Sequence, residues 1–258
     1  MNAKDKIIVI TGGATGIGAA LARRFHKEGA KSIVVAGFQE ELLAQVASEV
    51  GGLAIPCDVS NEGEIQNLIQ EVEDKLGPID IFCSNAGIAR MGDEDSSNED
   101  WQLNWDIHVM AHVYAARVLA PKMAERGSGY LINTASAAGL LSHIQSATYS
   151  VTKHAAVSFA EWLSIKYRHL GVRVSVLAPQ AVRTPMTDRP DEAAVASVDG
   201  MIEPEELADC VITTMDKEEF LILPHPGVKK YMMNKANDVD RWLTGMNRWR
   251  VEAGELKT

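Results

Sequence analysis

The stretch Lys6 to Gly29, KIIVITGGATGIGAALARRFHKEG, decides the fold. KIIVI, at 6 to 10, is a short β-branched run that reads as a strand, and residues 17 to 28 read as an amphipathic helix that Gly29 stops. Between them lies TGGATGIG, residues 11 to 18. Gly12, Gly16 and Gly18 allow a tight strand-to-helix turn, a backbone that can approach a pyrophosphate, and a helix that starts close to the sheet. An anion there would meet free N–H groups at the helix N-terminus, with Thr15 and Ile17 in the same turn. The spacing is G-x-x-x-G-x-G and not the common G-x-G-x-x-G, and such a turn by itself is also ordinary turn chemistry. Its place at the first strand–helix junction is what points to a dinucleotide.

Downstream, SIVVA (32 to 36), LAIPC (53 to 57), IDIFCS (79 to 84), YLINTA (130 to 135), VRVSVLA (172 to 178) and FLIL (220 to 223) repeat that apolar character. Runs so continuously apolar suit strands covered on both faces. Helical segments are expected at 39 to 49, 62 to 76, 100 to 126, 148 to 169 and 204 to 216. The alternation predicts one α/β domain over 1 to 258, a doubly wound parallel sheet of about seven strands with helices on both faces. Two stretches break it. Residues 185 to 203, PMTDRPDEAAVASVDGMIE, read as a loop over a substrate pocket. Residues 227 to 250 form a C-terminal helical extension in which Val228, Tyr231, Met232, Val239, Trp242, Leu243, Met246 and Trp249 recur at helical spacing. Packing on the chain's own core, a partner subunit and a cover over the pocket each account for that stripe.

A net charge of −10 repels a phosphate backbone, and no local Lys/Arg cluster offsets it, so neither nucleic acid nor an anionic membrane surface is an expected partner. No apolar stretch nears the roughly 20 residues that span a bilayer. MNAKDK leads into the first strand with no visible secretory or transit pattern. Cys57, Cys83 and Cys210 lie far apart, without C-x-x-C or a His at ligand spacing, so no metal is expected and a reducing, cytoplasmic setting fits.

CDV at 57 to 59 and NAG at 85 to 87 close the third and fourth strands, at the strand ends where doubly wound sheets bind ligands. Ser136 follows YLINTA, and Tyr149 and Lys153 come later as Y-x-x-x-K in YSVTK. In this order, T-G-x-x-x-G-x-G, N-A-G, the serine and Y-x-x-x-K, the chain resembles the short-chain dehydrogenase/reductase family over about residues 6 to 223. The resemblance implies a single Rossmann-type domain that binds NAD or NADP and transfers hydride between it and an alcohol or ketone substrate. It also implies a homodimer or homotetramer.

Tyr149 and Lys153 are one helical turn apart, so packing with a lysine that reaches to solvent is the plain reading. The chemical one can be sized. Bringing a phenol from about 10 to about 7 needs roughly 4 kcal/mol. An ammonium about 4 to 5 Å away supplies roughly 3 to 4 kcal/mol at an effective dielectric of ~20. The resemblance makes Tyr149 the general acid/base, Lys153 the group that lowers its pKa and holds the nicotinamide ribose, and Ser136 the hydrogen-bond donor to the substrate oxygen. It also implies that Asp58 binds the adenine amino group beside Val59, that Asn85, Ala86 and Gly87 pack on the cofactor, and that Thr184, beyond Pro179, contacts the carboxamide.

Three positions depart from the family pattern. His108 stands where an asparagine holds a relay water; an imidazole with a pKa near 6.5 would make such a relay pH-sensitive. Pro179 is followed by Gln180 in place of glycine. Gly37 and Phe38 replace the acid that would select NAD and the arginine that would favour NADP, so the preference is open. GDEDSSNED, at 92 to 100, lacks calcium-loop spacing and reads as a solvated loop that caps the long helix. His225, between two prolines, reads as part of a surface turn, with substrate or subunit contact as the sharper alternative. A cofactor-binding sensor or scaffold with weak or no turnover competes with the enzyme, and the intact Ser136, Tyr149 and Lys153 favour the enzyme. An epimerase or dehydratase would need a longer C-terminal substrate domain.

Overall fold

The structure, a computed structural model, describes residues 1–188, 195 and 197–255. Much of the expected 185 to 203 loop, residues 189–194 and 196, lies outside the described residues. The chain runs β1 (Ile7–Thr11), α1 (Gly16–Lys27), β2 (Ser32–Gly37), α2 (Glu40–Glu49), β3 (Leu53–Pro56), α3 (Glu62–Leu76) and β4 (Ile81–Ser84). It continues through α4 (Asn98–Trp105), a π-helical turn (Asp106–Met110), α5 (Ala111–Glu125), β5 (Gly129–Thr134), α6 (Ala138–Leu141), α7 (Ala147–Tyr167) and β6 (Val172–Leu177). It ends with α8 (Pro204–Asp216), β7 (Leu221–Ile222), α9 (Gly227–Asn237) and α10 (Val239–Glu255).

The seven strands are all parallel, in the order β3-β2-β1-β4-β5-β6-β7. Each strand's alternate side chains feed opposite layers, which is why the apolar runs are continuous. On β1, Ile8 and Ile10 join Phe25, Leu43, Leu207 and Val211 under α1, α2 and α8. Ile7 and Val9 join Leu68, Leu119, Ala156 and Leu163 under α3, α5 and α7. β1 and β4 are neighbours in register, Ile10 opposite Cys83, while the chain leaves them toward opposite edges. A crevice therefore opens at their carboxyl ends.

Two expected helices have a finer structure. The 100 to 126 segment becomes α4, the π turn and α5, and the wider turn at Asp106–Met110 lies beside the site. The 227 to 250 extension is two helices, parted where Asp238 is extended (φ −156°, ψ 94°) and its carboxylate accepts from Arg241 N–H at 2.9 Å. In the acidic 92 to 100 loop, Ser97 Oγ accepts from Asp100 N–H at 3.1 Å and so caps α4. No group of three or more metal-ligating side chains occurs among the described residues. No described helix is long and apolar enough to cross a membrane.

Candidate active site

A cavity of about 760 Å³ fills the crevice. Its floor is the glycine turn. Gly12 has φ +65°, a left-handed conformation, and a Cβ there would meet Ala86 Cα at 2.9 Å. A Cβ on Gly18 would lie 2.1 Å from the Gly12 carbonyl oxygen, so α1 starts this close to the strand end only with glycine. Thr15, the N-cap of α1, makes no side-chain cap bond, and the first turn carries no acid. Thr15, Gly16, Ile17 and Gly18 line the cavity, so the positive end of α1 faces it without a side-chain competitor. These residues fit the pyrophosphate of a dinucleotide.

Asn85 stitches the strand ends together. Its Nδ2 donates to Thr11 O at 3.1 Å, and its Oδ1 accepts from Thr134 Oγ1 at 3.2 Å. Thr11 Oγ1 accepts from Asn85 N–H at 3.0 Å and Ala86 N–H at 3.1 Å. The N-A-G turn is thereby clamped to β1 and β5, with Asn85, Ala86 and Gly87 on the cavity wall. Thr11 and Thr134 escaped the sequence reading, although Thr11 opens the glycine motif itself.

Ser136, Tyr149 and Lys153 line the same cavity. Ser136 Oγ accepts from Ala138 N–H at 3.1 Å, makes a long 3.4 Å contact to Pro179 O and hydrogen-bonds Tyr149 across the cavity wall. Tyr149 sits in the first turn of α7, whose N-cap Ser146 accepts from Tyr149 N–H at 3.2 Å. Lys153, one turn on, is buried; its Nζ donates to Thr134 O at 3.1 Å and lies 5.5 Å from the Tyr149 ring centroid.

The electrostatics differ from the sequence expectation. Burial pushes the Tyr149 phenol above its ordinary value, against a hydrogen bond with Ser136 that lowers it, and burial pushes Lys153 down to about 7. The expected acidification of Tyr149 by Lys153 is therefore corrected. The ammonium lies 5.5 Å from the ring centroid and is not among the causes of the tyrosine's shift, and desolvation penalises both charged forms.

The pH-sensitive relay at His108 is corrected as well. His108, on the π turn, is fully buried, with Nδ1 3.0 Å from Thr152 Oγ1 and Nε2 3.1 Å from Ile88 O. Ile88 N–H also points at Nε2, at 3.3 Å. Burial, then the charge of Lys153, pushes the imidazole down to about 2, so it stays neutral at physiological pH. Its ring stands edge-on to Tyr149, with centroids 5.3 Å apart. His108 braces the surroundings of Tyr149 from behind the cavity wall. Thr152, its partner, lies within the YSVTK stretch at a position sequence reasoning passed over. His112, also buried and missed, is pushed down to about 3.

At the adenine end Phe38 and Val59 line the cavity, and Asp58 lies next to Val59 in the turn after β3. Asp58 Oδ1 accepts from Ser60 N–H at 2.9 Å and from Ser60 Oγ at 2.7 Å, closing the turn into α3. At the nicotinamide end Pro179 and Thr184 line the cavity. His225 is no part of a surface turn: it is buried, and its Nδ1 accepts from Gln180 N–H at 3.2 Å. A histidine acceptor thus fixes the turn where the family's glycine is missing. Above this end Tyr231, Trp242, Met246 and Trp249 from α9 and α10 complete the wall, so the C-terminal stripe covers the pocket.

Comparison with known proteins agrees with this architecture. The family model described as short chain dehydrogenase matches residues 6–194. The chain is 31% identical over 250 residues to 1-deoxy-11-beta-hydroxypentalenate dehydrogenase of Streptomyces exfoliatus, covering 93% of this chain and 90% of that protein. It superposes on a short chain dehydrogenase/reductase from Burkholderia phymatum in complex with NAD with a TM-score of 0.85 at 28% identity, over 93% of this chain and 96% of that one. L-sorbose reductase from Gluconobacter frateurii, complexed with NADPH and L-sorbose, gives a TM-score of 0.77 at 28% identity, over 86% of this chain and 95% of that one.

Proposed function

The chain belongs to the short-chain dehydrogenase/reductase family of NAD(P)-dependent oxidoreductases, and on that premise we propose that it interconverts an alcohol and a carbonyl compound through Ser136, Tyr149 and Lys153. The observation that carries this is the convergence of those three side chains on the cavity that the glycine turn floors. The cofactor, when bound, supplies or accepts the hydride.

The protein's part is proton transfer and orientation. In the reducing direction the Tyr149 hydroxyl donates a proton to the carbonyl oxygen, a task suited to a phenol that burial keeps protonated at neutral pH. Ser136 Oγ–H gives a second hydrogen bond to that oxygen and stabilises charge as it develops. Lys153 spends one of its three donors on Thr134 O and has two left for the nicotinamide ribose hydroxyls. His108 is a positioning residue that reaches the chemistry through Tyr149 and Thr152.

A cytoplasmic homodimer or homotetramer belongs to the same proposal. Val151, Trp162 and Ile165 are exposed along one outward face of α7, an apolar stripe suited to a second copy of the chain. Sedimentation of the wild type beside Ile165→Glu tests it. The enzymatic proposal is tested by a screen of secondary alcohols and ketones with NAD(H) and NADP(H), read at the reduced nicotinamide absorbance and repeated with Tyr149→Phe. Measurable cofactor affinity with no turnover of any substrate would favour the sensor or scaffold.

A further inference from the structure

Building on that reaction, we propose that the substrate is an uncharged alcohol or ketone with a rigid, multi-ring apolar skeleton, and that α10 is the aromatic lid that selects it. Trp242, Met246 and Trp249 stand at i, i+4 and i+7 on α10, one stripe turned toward the cavity. All three are only partly buried, as is Tyr231 on α9, so each keeps apolar surface that a ligand in the cavity would cover. The Tyr231 and Trp242 rings lie 6.4 Å apart with a 39° tilt, forming a broad concave platform. Leu141 and Met186 line the cavity with them. Flat indole faces cover most area against a rigid ring system, which also loses less conformational entropy on binding than a flexible chain.

Charge points the same way. Among the described residues, Lys153 is the only Lys, Arg, Asp or Glu on the cavity wall, and it belongs to the reacting end. An ionised group on the substrate's far end would find no charged partner among the described lining residues. α10 packs mainly on α9 beyond the Asp238 break, and its far end is tied by Arg250 Nη1, which donates to Ile144 O at 2.8 Å. Lys235 Nζ ties α9 to Leu140 O, also at 2.8 Å. Both ties reach the segment that follows Ser136, so lid and reacting wall are coupled.

The test is a series of uncharged ketones of one, two, three and four fused rings, with a carboxylate-bearing analogue of the largest, assayed with wild type and Trp242→Ala/Trp249→Ala. The expectation is a kcat/KM that climbs about tenfold per ring in wild type, in line with the area each ring buries. The double variant should lose about 10- to 100-fold on the four-ring ketone and markedly less on the one-ring ketone, with cofactor Kd unchanged; Trp242→Phe/Trp249→Phe should recover most of the loss. A flat series, a preference for the carboxylate analogue, or an equal loss on every substrate overturns the proposal. Calorimetry of the four-ring ketone with the protein and its cofactor separates the two levels of inference. Binding with a negative heat-capacity change that the double variant loses supports the lid even if no ketone is reduced, whereas absence of binding sinks it.

Discussion

Lys153 points its ammonium at the Thr134 carbonyl, 3.1 Å away, while it stands 5.5 Å from the centroid of the Tyr149 ring. The lysine thus holds the backbone of β5 and flanks the tyrosine, and both groups carry the penalty of burial.

Replacement of Tyr149 by Phe removes the proton donor and keeps the ring. We expect kcat to fall by about 10²- to 10⁴-fold while cofactor affinity, read by reduced-nicotinamide fluorescence, holds within about twofold. Because burial raises the phenol, reduction should stay level through neutrality and decline only in the alkaline range, whereas oxidation, which needs the phenolate, should climb with pH. Profiles of kcat/KM in both directions check this, and oxidation that peaks in acid would contradict it.

Burial of Lys153 works against folding. Its folded pKa, about 7, lies below the ordinary 10.5, so between these values the unfolded chain binds more protons and stability gains as pH rises. Below about 7 the full burial penalty is present. Lys153→Met should therefore raise the melting temperature most near pH 6, with the gain shrinking toward about pH 10. Thermal unfolding of both proteins across that range is the measurement; a gain that grows with pH would be the wrong sign.

His108 is neutral at working pH, so His108→Asn should leave the shape of the pH–rate profile unaltered, in contrast to a titrating relay. His108→Leu should destabilise the protein by about 1 to 3 kcal/mol, because Thr152 and the Ile88 backbone lose a buried partner. A limb near pH 6.5 that vanished in His108→Asn would restore the relay.

Around Phe38 nothing among the described residues offers a cation to a ribose phosphate: Lys153 is the only cationic residue on the cavity wall, and Glu40 and Glu41 open α2. NADH should bind about tenfold or more tighter than NADPH, and Phe38→Arg should narrow or reverse the gap by adding a charge-assisted contact. Titration of reduced-nicotinamide fluorescence decides it. Equal affinities in the wild type would show that the phosphate finds another partner.

Much of this protein was legible along the chain because its signals are local. The β-branched runs, the glycines at 12, 16 and 18 and the Tyr149–Lys153 spacing each depend on residues a few places apart, and alternation alone implied the parallel sheet. Tertiary structure decided what depends on surroundings from every direction. His108 is held near 2, the Tyr149 phenol is raised, His225 is buried against Gln180, and Asp58 accepts from Ser60. The stripe on α10 became a pocket wall for the same reason. Periodicity shows that a helix has an apolar face, while desolvation and contact are set by whichever distant segments fold against it.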